Sequence, residues 1–395
     1  MISSKMAELG KKRSVIREIF EYGNLRASQI GRENVFDFSL GNPSVPAPDV
    51  VNETIVDLCN NTSSLLLHGY TSAQGDLQVR SSVAASIKRR FGYDADPNKI
   101  YMTVGAAASL TITLKALICP ENGDEIIVFA PFFPEYKVFI EAAGGKCVVV
   151  PAQTTDFQIN FEELGKLINS KTKAVIINSP NNPSGVVYTK DTIDKLVSLL
   201  NSESKRSGNS IYLISDEPYR EITYGAEVPY IPHCYDNTVV CYSYSKSLSL
   251  PGERIGYILV TNNCDDSSDL YAAVCGAGRA LGYVCAPSMF QKVIGRCLDT
   301  PSNVDAYKEN RDLLYNALTS YGYDCVKPDG AFYLFVRSPE ADANEFCLKA
   351  RKYELLLVPS DSFGCEGFVR ISYCVSNEMI KRSLPSFERL IKEYK

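Results

Sequence analysis

Short apolar runs alternate with helical repeats through the middle of the chain, and this alternation predicts the fold class before any single residue is weighed. Between about residues 50 and 290, seven runs read as strands, at 100–104, 125–130, 146–150, 174–178, 211–215, 239–242 and 255–260. Most are apolar throughout rather than alternating, as strands covered on both faces are. Helical patterns fill the gaps, for example at 106–118, 134–143, 161–168 and 190–204. Strands alternating with helices imply βαβ units, so the expected fold is α/β, a mainly parallel seven-stranded sheet flanked by helices.

The pattern differs at both ends. The first 35 or so residues read as an amphipathic helix, with Val15, Ile16, Ile19 and Phe20 on one face, and a polar connection. The run Gly41-Asn42-Pro43-Ser44-Val45-Pro46-Ala47-Pro48 then marks an ordered loop. Beyond about residue 290 a helix at 304–320 precedes a strand at 331–336, a helix at 343–352 and strands near 355–358 and 368–373. The last helix carries Ile380, Leu384, Phe387, Ile391 and Tyr394 at helical spacing, with Pro385 as a kink point. This predicts a smaller α+β domain that the N-terminal segment joins. The expected division is an arm with part of the small domain at 1–50, a large domain at 51–289 and a small C-terminal domain at 290–395.

Composition narrows the function. At 395 residues, with a formal net charge of −5, 22% charged and 45% hydrophobic residues, the chain matches an ordinary globular protein and excludes predominant disorder. The acidic balance argues against a nucleic-acid partner, and no window approaches the roughly 18 apolar residues of a membrane span. Thirteen cysteines are dispersed, the closest pair being Cys234 and Cys241, so they read as reduced, mostly buried hydrophobes of a cytoplasmic protein. No apolar run follows Lys11, Lys12 and Arg13, so no signal peptide is expected. Two histidines, His68 and His233, and no tryptophan exclude a His-rich metal site and leave histidine an improbable main acid–base group.

In an open α/β sheet, ligands bind beyond the carboxyl ends of the strands. Those ends carry Gly105-Ala106-Ala107-Ala108, Pro131-Phe132-Phe133-Pro134, Ser179-Pro180-Asn181-Asn182-Pro183-Ser184-Gly185, Asp216-Glu217-Pro218-Tyr219 and Ser243-Tyr244-Ser245-Lys246. Small residues, an aromatic, an amide, a carboxylate, a phenol and a lysine thus converge on one rim. That set suits a flat, phosphorylated, electron-withdrawing cofactor. Each element alone has a plainer reading: a turn packed against its strand, a helix N-cap for Asp216, a surface charge for Lys246. The order and spacing carry the argument. Asp216 follows Asn182 by 34 residues, Lys246 follows Asp216 by 30, and Arg254 lies eight further on.

These segments resemble the fold-type I pyridoxal-phosphate enzymes, specifically class-I aminotransferases of the aspartate aminotransferase family. The resemblance runs from about Phe38 to Tyr373 and rests on LGNPSVPAP, YTSAQGDLQVR, SPNNPSG, SDEPY, SYSKSLSLPGERIG and FVRIS. It implies that Lys246 holds pyridoxal 5′-phosphate as a Schiff base and then shuttles a proton. A desolvated lysine beside cations has the lowered pKa this needs. By the same resemblance Asp216 pairs with the ring nitrogen, Tyr219 and Asn182 bond the ring's phenolic oxygen, and Phe133 stacks on the ring where relatives commonly have tryptophan. The amides of Ala106 and Ala107, with Ser243, Ser245 and Arg254, hold the phosphate; relatives often have hydroxyls where the alanines stand. Tyr70 matches a phosphate-binding tyrosine supplied by the partner subunit, implying a homodimer; otherwise it is a buried structural tyrosine.

Arg370 matches the arginine that grips the substrate α-carboxylate, and Gly41 a loop glycine that closes over the substrate. Arg254 could instead pair with Glu253 or Glu217. Arg279, 25 residues beyond Arg254, is a candidate reader of a distal carboxylate from the other subunit, which would make the substrate acidic; otherwise it is an interface arginine. Where some relatives place a histidine three residues after the stacking aromatic, this chain has Tyr136. The implied activity is ping-pong exchange of an amino group between an L-amino acid and a 2-oxo acid. A C–S β-lyase using the same cofactor is the near rival, and a cofactor-sensing regulator the remote one.

Overall fold

The computed structural model describes residues 2–11 and 15–395; Lys12 and Arg13 lie outside the described residues. Among the described residues twelve strands form three sheets: β1 (Phe36–Asp37), β2 (Ile100–Thr103), β3 (Glu125–Phe129), β4 (Lys146–Val150), β5 (Thr172–Asn178), β6 (Tyr212–Asp216), β7 (Thr238–Ser243), β8 (Gly256–Val260), β9 (Tyr333–Arg337), β10 (Leu355–Leu356), β11 (Val358–Pro359) and β12 (Phe368–Ser372). The large sheet has the order β2-β8-β7-β6-β5-β3-β4. β8 pairs antiparallel with both neighbours and so runs against the other six. The connection from β7, residues 244–255, holds only a four-residue helix, Tyr244–Ser247, and turns, and it returns the chain antiparallel along the edge of β7.

Both faces of this sheet are covered, as the unbroken apolar runs predict. Along β3, Ile126 and Val128 enter one core cluster while Ile127 and Phe129 enter another, the two-residue period dealing side chains to opposite faces. The helix Ala106–Leu117 covers the first face and packs against Ser267–Ala280.

The second, antiparallel sheet has the order β11-β12-β9 and lies with the helices Val304–Tyr321 and Asn377–Lys392. The last helix continues through Pro385. Its Phe387 meets Phe38 at a ring-centroid distance of 5.6 Å, so the N-terminal segment shares the core of the C-terminal part. Two expectations change here. The run at 355–358 is not one strand: Leu355 and Leu356 pair parallel with β1, whereas Val358 and Pro359 pair antiparallel with β12. The strand expected from residue 331 starts at Tyr333, because Ala331 holds a left-handed φ of 53° in the preceding turn. The N-terminal helix spans Val15–Ile30; Ile19 is buried with Val35, Leu356, Val358 and Phe363, whereas Phe20 is only partly covered. A separate helix, Ser4–Lys11, buries none of its residues. Among the described residues no helix is long and apolar enough to cross a membrane, and no group of three or more His, Cys, Asp or Glu side chains is placed to hold a metal.

Candidate active site

Lys246 stands on the four-residue helix after β7, whose start is capped by the Ser243 hydroxyl accepting from the Ser245 amide. Its Nζ donates to the Gly41 carbonyl at 2.6 Å. Burial pushes its pKa down to about 8; Arg254 and Arg370 push the same way and Cys374 opposes them. The amine also lies 5.5 Å from the Phe332 ring centroid. Gly41 has no substitute at that place: a Cβ there would stand 1.9 Å from the Tyr333 hydroxyl.

Asp216 ends β6 and is 4% exposed. Its Oδ2 accepts from the Tyr136 hydroxyl, so the carboxylate serves no helix N-cap. Its Oδ1 is buried without a partner among the described residues. Burial drives the carboxyl pKa up to about 7, with the Tyr136 bond pulling it down and Glu217 pushing it up. An unfilled buried acceptor costs free energy unless a ligand donor meets it, and a ring N–H fits that need.

Arg370 sits in the middle of β12 at 2% exposure. Its Nη2 donates to the Ser39 carbonyl at 2.5 Å and its Nη1 to Asn182 Oδ1 at 3.1 Å. The guanidinium stacks on Tyr333 and Phe363, at 4.7 and 5.2 Å from their centroids. Its Nε is buried with no acceptor, and no carboxylate pairs with it among the described residues. A buried arginine with a spare donor is suited to a carboxylate ligand. Tyr219, buried beside it, shares a 2.9 Å hydrogen bond with the Tyr333 hydroxyl.

Hydrogen-bond donors gather at the start of Ala106–Leu117. The helix is preceded by Gly105 at φ 90°, where a Cβ would meet Arg254 Nη2 at 2.7 Å. Ala107 is exposed and Ala106 partly so, and no side chain caps the helix start. The Ser243 and Ser245 hydroxyls are 2.8 Å apart, and Arg254 donates to Ser245 Oγ at 3.4 Å and to the Pro251 carbonyl at 3.0 Å. Arg254 pairs with no carboxylate among the described residues, and Glu217 is bound to the buried Arg220 instead. Phe133 is half-buried with its ring edge-to-face on Tyr136, centroids 5.7 Å apart.

Two sequence candidates stand apart. Tyr70 is 90% exposed rather than buried, and Arg279 is exposed in the last turn of Ser267–Ala280. Four participants carried no sequence signal of their own: Tyr333, Phe332, Phe363 and the Ser39 carbonyl. Tyr333 and Phe332 sit in an apolar strand-like run that hides their role, and a backbone carbonyl leaves no mark in residue type.

A mainly parallel sheet covered on both faces, with its polar residues gathered at the strand ends, defines an α/β enzyme. The family model described as aminotransferase class I and II matches residues 33–387. The aspartate aminotransferase of Thermotoga maritima is 33% identical over 364 residues, covering 90% of this chain and 91% of that protein. The aromatic-amino-acid aminotransferase 2 of Thermococcus litoralis is 27% identical over 396 residues, covering 97% and 96%. The crystal structure of an amino transferase from Eubacterium rectale matches with a TM-score of 0.98 and 57% identity, over 100% of this chain and 99% of that one. The chain belongs to the aminotransferase class I and II family and is an enzyme that transfers amino groups.

Proposed function

We propose that the site holds pyridoxal 5′-phosphate and exchanges the amino group of an L-amino acid with a 2-oxo acid in two half-reactions. One observation carries the reading: the buried Asp216 Oδ1 waits without a donor on the same rim as a lysine whose pKa is lowered to about 8. The bound cofactor supplies an electron sink for the substrate Cα. Lys246 would hold it and would take and return the substrate Cα proton through Nζ. Asp216 keeps the ring nitrogen protonated, Tyr219 and Asn182 bond its phenolic oxygen, and Phe133 stacks on its face. The Ala106 and Ala107 amides, Ser243, Ser245 and Arg254 take the phosphate. Arg370 binds the α-carboxylate through donors that now meet Ser39, Asn182 or nothing. Gly41 gives up its contact with Lys246 and closes over the substrate.

A homodimer completes this reading, with Tyr70 of the partner subunit on the phosphate. The exposure of Leu65 (88%), Leu66 (70%) and Tyr70 along one short segment supports it. The unpaired state of the thirteen cysteines supports a cytoplasmic location. An acidic substrate, read by Arg279 of the partner subunit, is the most specific part; relatives named for aspartate and for aromatic amino acids flank the choice.

The test is a half-reaction screen on the cofactor-loaded protein. Single amino acids should change the visible absorbance, and a 2-oxo acid should reverse the change. Silence from every proteinogenic amino acid would sink aminotransfer here, and steady ammonia release would replace it with elimination. In the same assay Arg279→Ala should raise KM for aspartate and glutamate and spare neutral amino acids. Unchanged aspartate and glutamate turnover removes the role of Arg279.

A further inference from the structure

Tyr333 belongs to none of the motifs that revealed the site, yet the groups of the site meet on it. It is buried on β9, 2% exposed. Its hydroxyl is 2.9 Å from the Tyr219 hydroxyl, and neither phenol has another hydrogen bond among the described residues. Its ring carries the Arg370 guanidinium at 4.7 Å. The same hydroxyl fills the space that a Cβ on Gly41 would need, 1.9 Å away, and it is the Gly41 carbonyl that Lys246 meets.

A phenol donates one hydrogen bond and accepts others. Either hydroxyl can be the donor in the Tyr219–Tyr333 pair as it stands. Once Tyr219 turns its proton to a ligand oxygen, the contact survives only with Tyr333 donating. We propose that Tyr333 is a positioning residue: it donates to Tyr219, so aiming the Tyr219 proton at the phenolic oxygen of the cofactor, while its ring face holds the Arg370 guanidinium in place for the substrate carboxylate. This rests on the function proposed above, in which Tyr219 faces that oxygen. Tyr333 thereby links the phenol on the cofactor side to the arginine on the substrate side. A donor made stronger by its own incoming hydrogen bond withdraws charge from the phenolic oxygen. That oxygen then holds the proton of the neighbouring imine nitrogen less tightly, and the nitrogen titrates at lower pH.

The experiment is a pH titration of the visible absorbance of the protein loaded with pyridoxal 5′-phosphate. It compares wild type, Tyr333→Phe, Tyr219→Phe and the double variant. Tyr333→Phe keeps the ring and should raise the midpoint by about half to one pH unit, the size of one neutral hydrogen bond. Tyr219→Phe should raise it further, and the double variant should match Tyr219→Phe alone, because Tyr333 acts through Tyr219. Tyr333→Phe should leave KM for the amino acid unchanged, whereas Tyr333→Leu, which removes the platform, should raise it. A residue that only fills the core would leave the midpoint in place. An unmoved midpoint in Tyr333→Phe, or an additive shift in the double variant, overturns the proposal. A wild-type protein that takes up no pyridoxal 5′-phosphate overturns the proposed function first and this inference with it, and that control separates the two failures. If Tyr333→Leu does not fold, the Phe variants decide the matter.

Discussion

Replacing Lys246 with alanine should leave a protein that folds and no longer exchanges amino groups: on the proposed function, loss of the proton carrier alone lowers kcat by at least about 10²–10⁴. Loss of the covalent attachment adds to this. The side chain contributes little to the fold, because its recorded polar contact is the 2.6 Å bond to the Gly41 carbonyl and its charge is disfavoured by burial. The informative companion is Lys246→Arg. It restores a cation in the same place, but a guanidinium with a pKa above about 12 neither attacks an aldehyde nor gives up a proton near neutrality. Both variants should be equally inactive in single-turnover absorbance measurements, with melting temperatures close to wild type. An arginine variant within about tenfold of the wild-type rate, a difference of about 1.4 kcal/mol in the barrier, would reduce Lys246 to a source of charge. On the function proposed above the neutral amine is the nucleophile, and burial lowers its pKa to about 8. Cofactor attachment should therefore accelerate as pH rises through about 8 and level off above it.

Asp216→Asn should separate activity from stability. Asparagine keeps the shape and one acceptor for the Tyr136 hydroxyl, but it cannot hold a proton on a ring nitrogen. Breaking a buried charge pair costs about 3–5 kcal/mol, so kcat should fall by roughly 10²–10⁴. The cofactor-free protein should be about as stable as wild type, because the neutral amide removes a buried charge while its NH2 replaces one unpartnered polar atom with another. Thermal melts without cofactor and steady-state rates with it test the two halves separately. A variant that melts early yet keeps its kcat would make Asp216 a structural residue and would remove the observation on which the cofactor assignment stands.

The strands of the large sheet were legible because they are short, apolar on both faces and punctuated by polar strand ends; β4 spans the expected residues and the others shift by one or two. The direction of β8 was not legible, since an apolar run reads the same in either orientation and its sense shows only in its pairing with β7 and β2. The division of 355–358 between two sheets was hidden for a related reason. Which neighbour a residue pairs with depends on segments more than 300 residues away for Leu355 and only about a dozen away for Val358. Within the candidate site, Asp216 was a candidate from sequence because it ends an apolar run, Asn182, Tyr219 and Lys246 because they follow one closely, and Arg254 by its spacing from Lys246. Tyr333 was not, because it sits in an apolar strand-like run, and the Ser39 carbonyl was not, because a backbone carbonyl leaves no mark in residue type.

The chemistry-bearing residues and the order in which they reach the rim of the sheet follow from sequence alone, since apolar period and turn chemistry are local properties. Their electrostatic state does not. Lys246 gives up its proton more readily than a free lysine because it is buried near Arg254 and Arg370, and its amine meets a carbonyl 205 positions away. Asp216 has one oxygen satisfied by Tyr136, 80 positions away, and one left open. Arg370 reaches Asn182 across 188 positions and keeps a free donor. Burial and an unfilled hydrogen bond are properties of what surrounds a group in three dimensions, so only the tertiary structure decided which atoms of the site stand ready for a ligand.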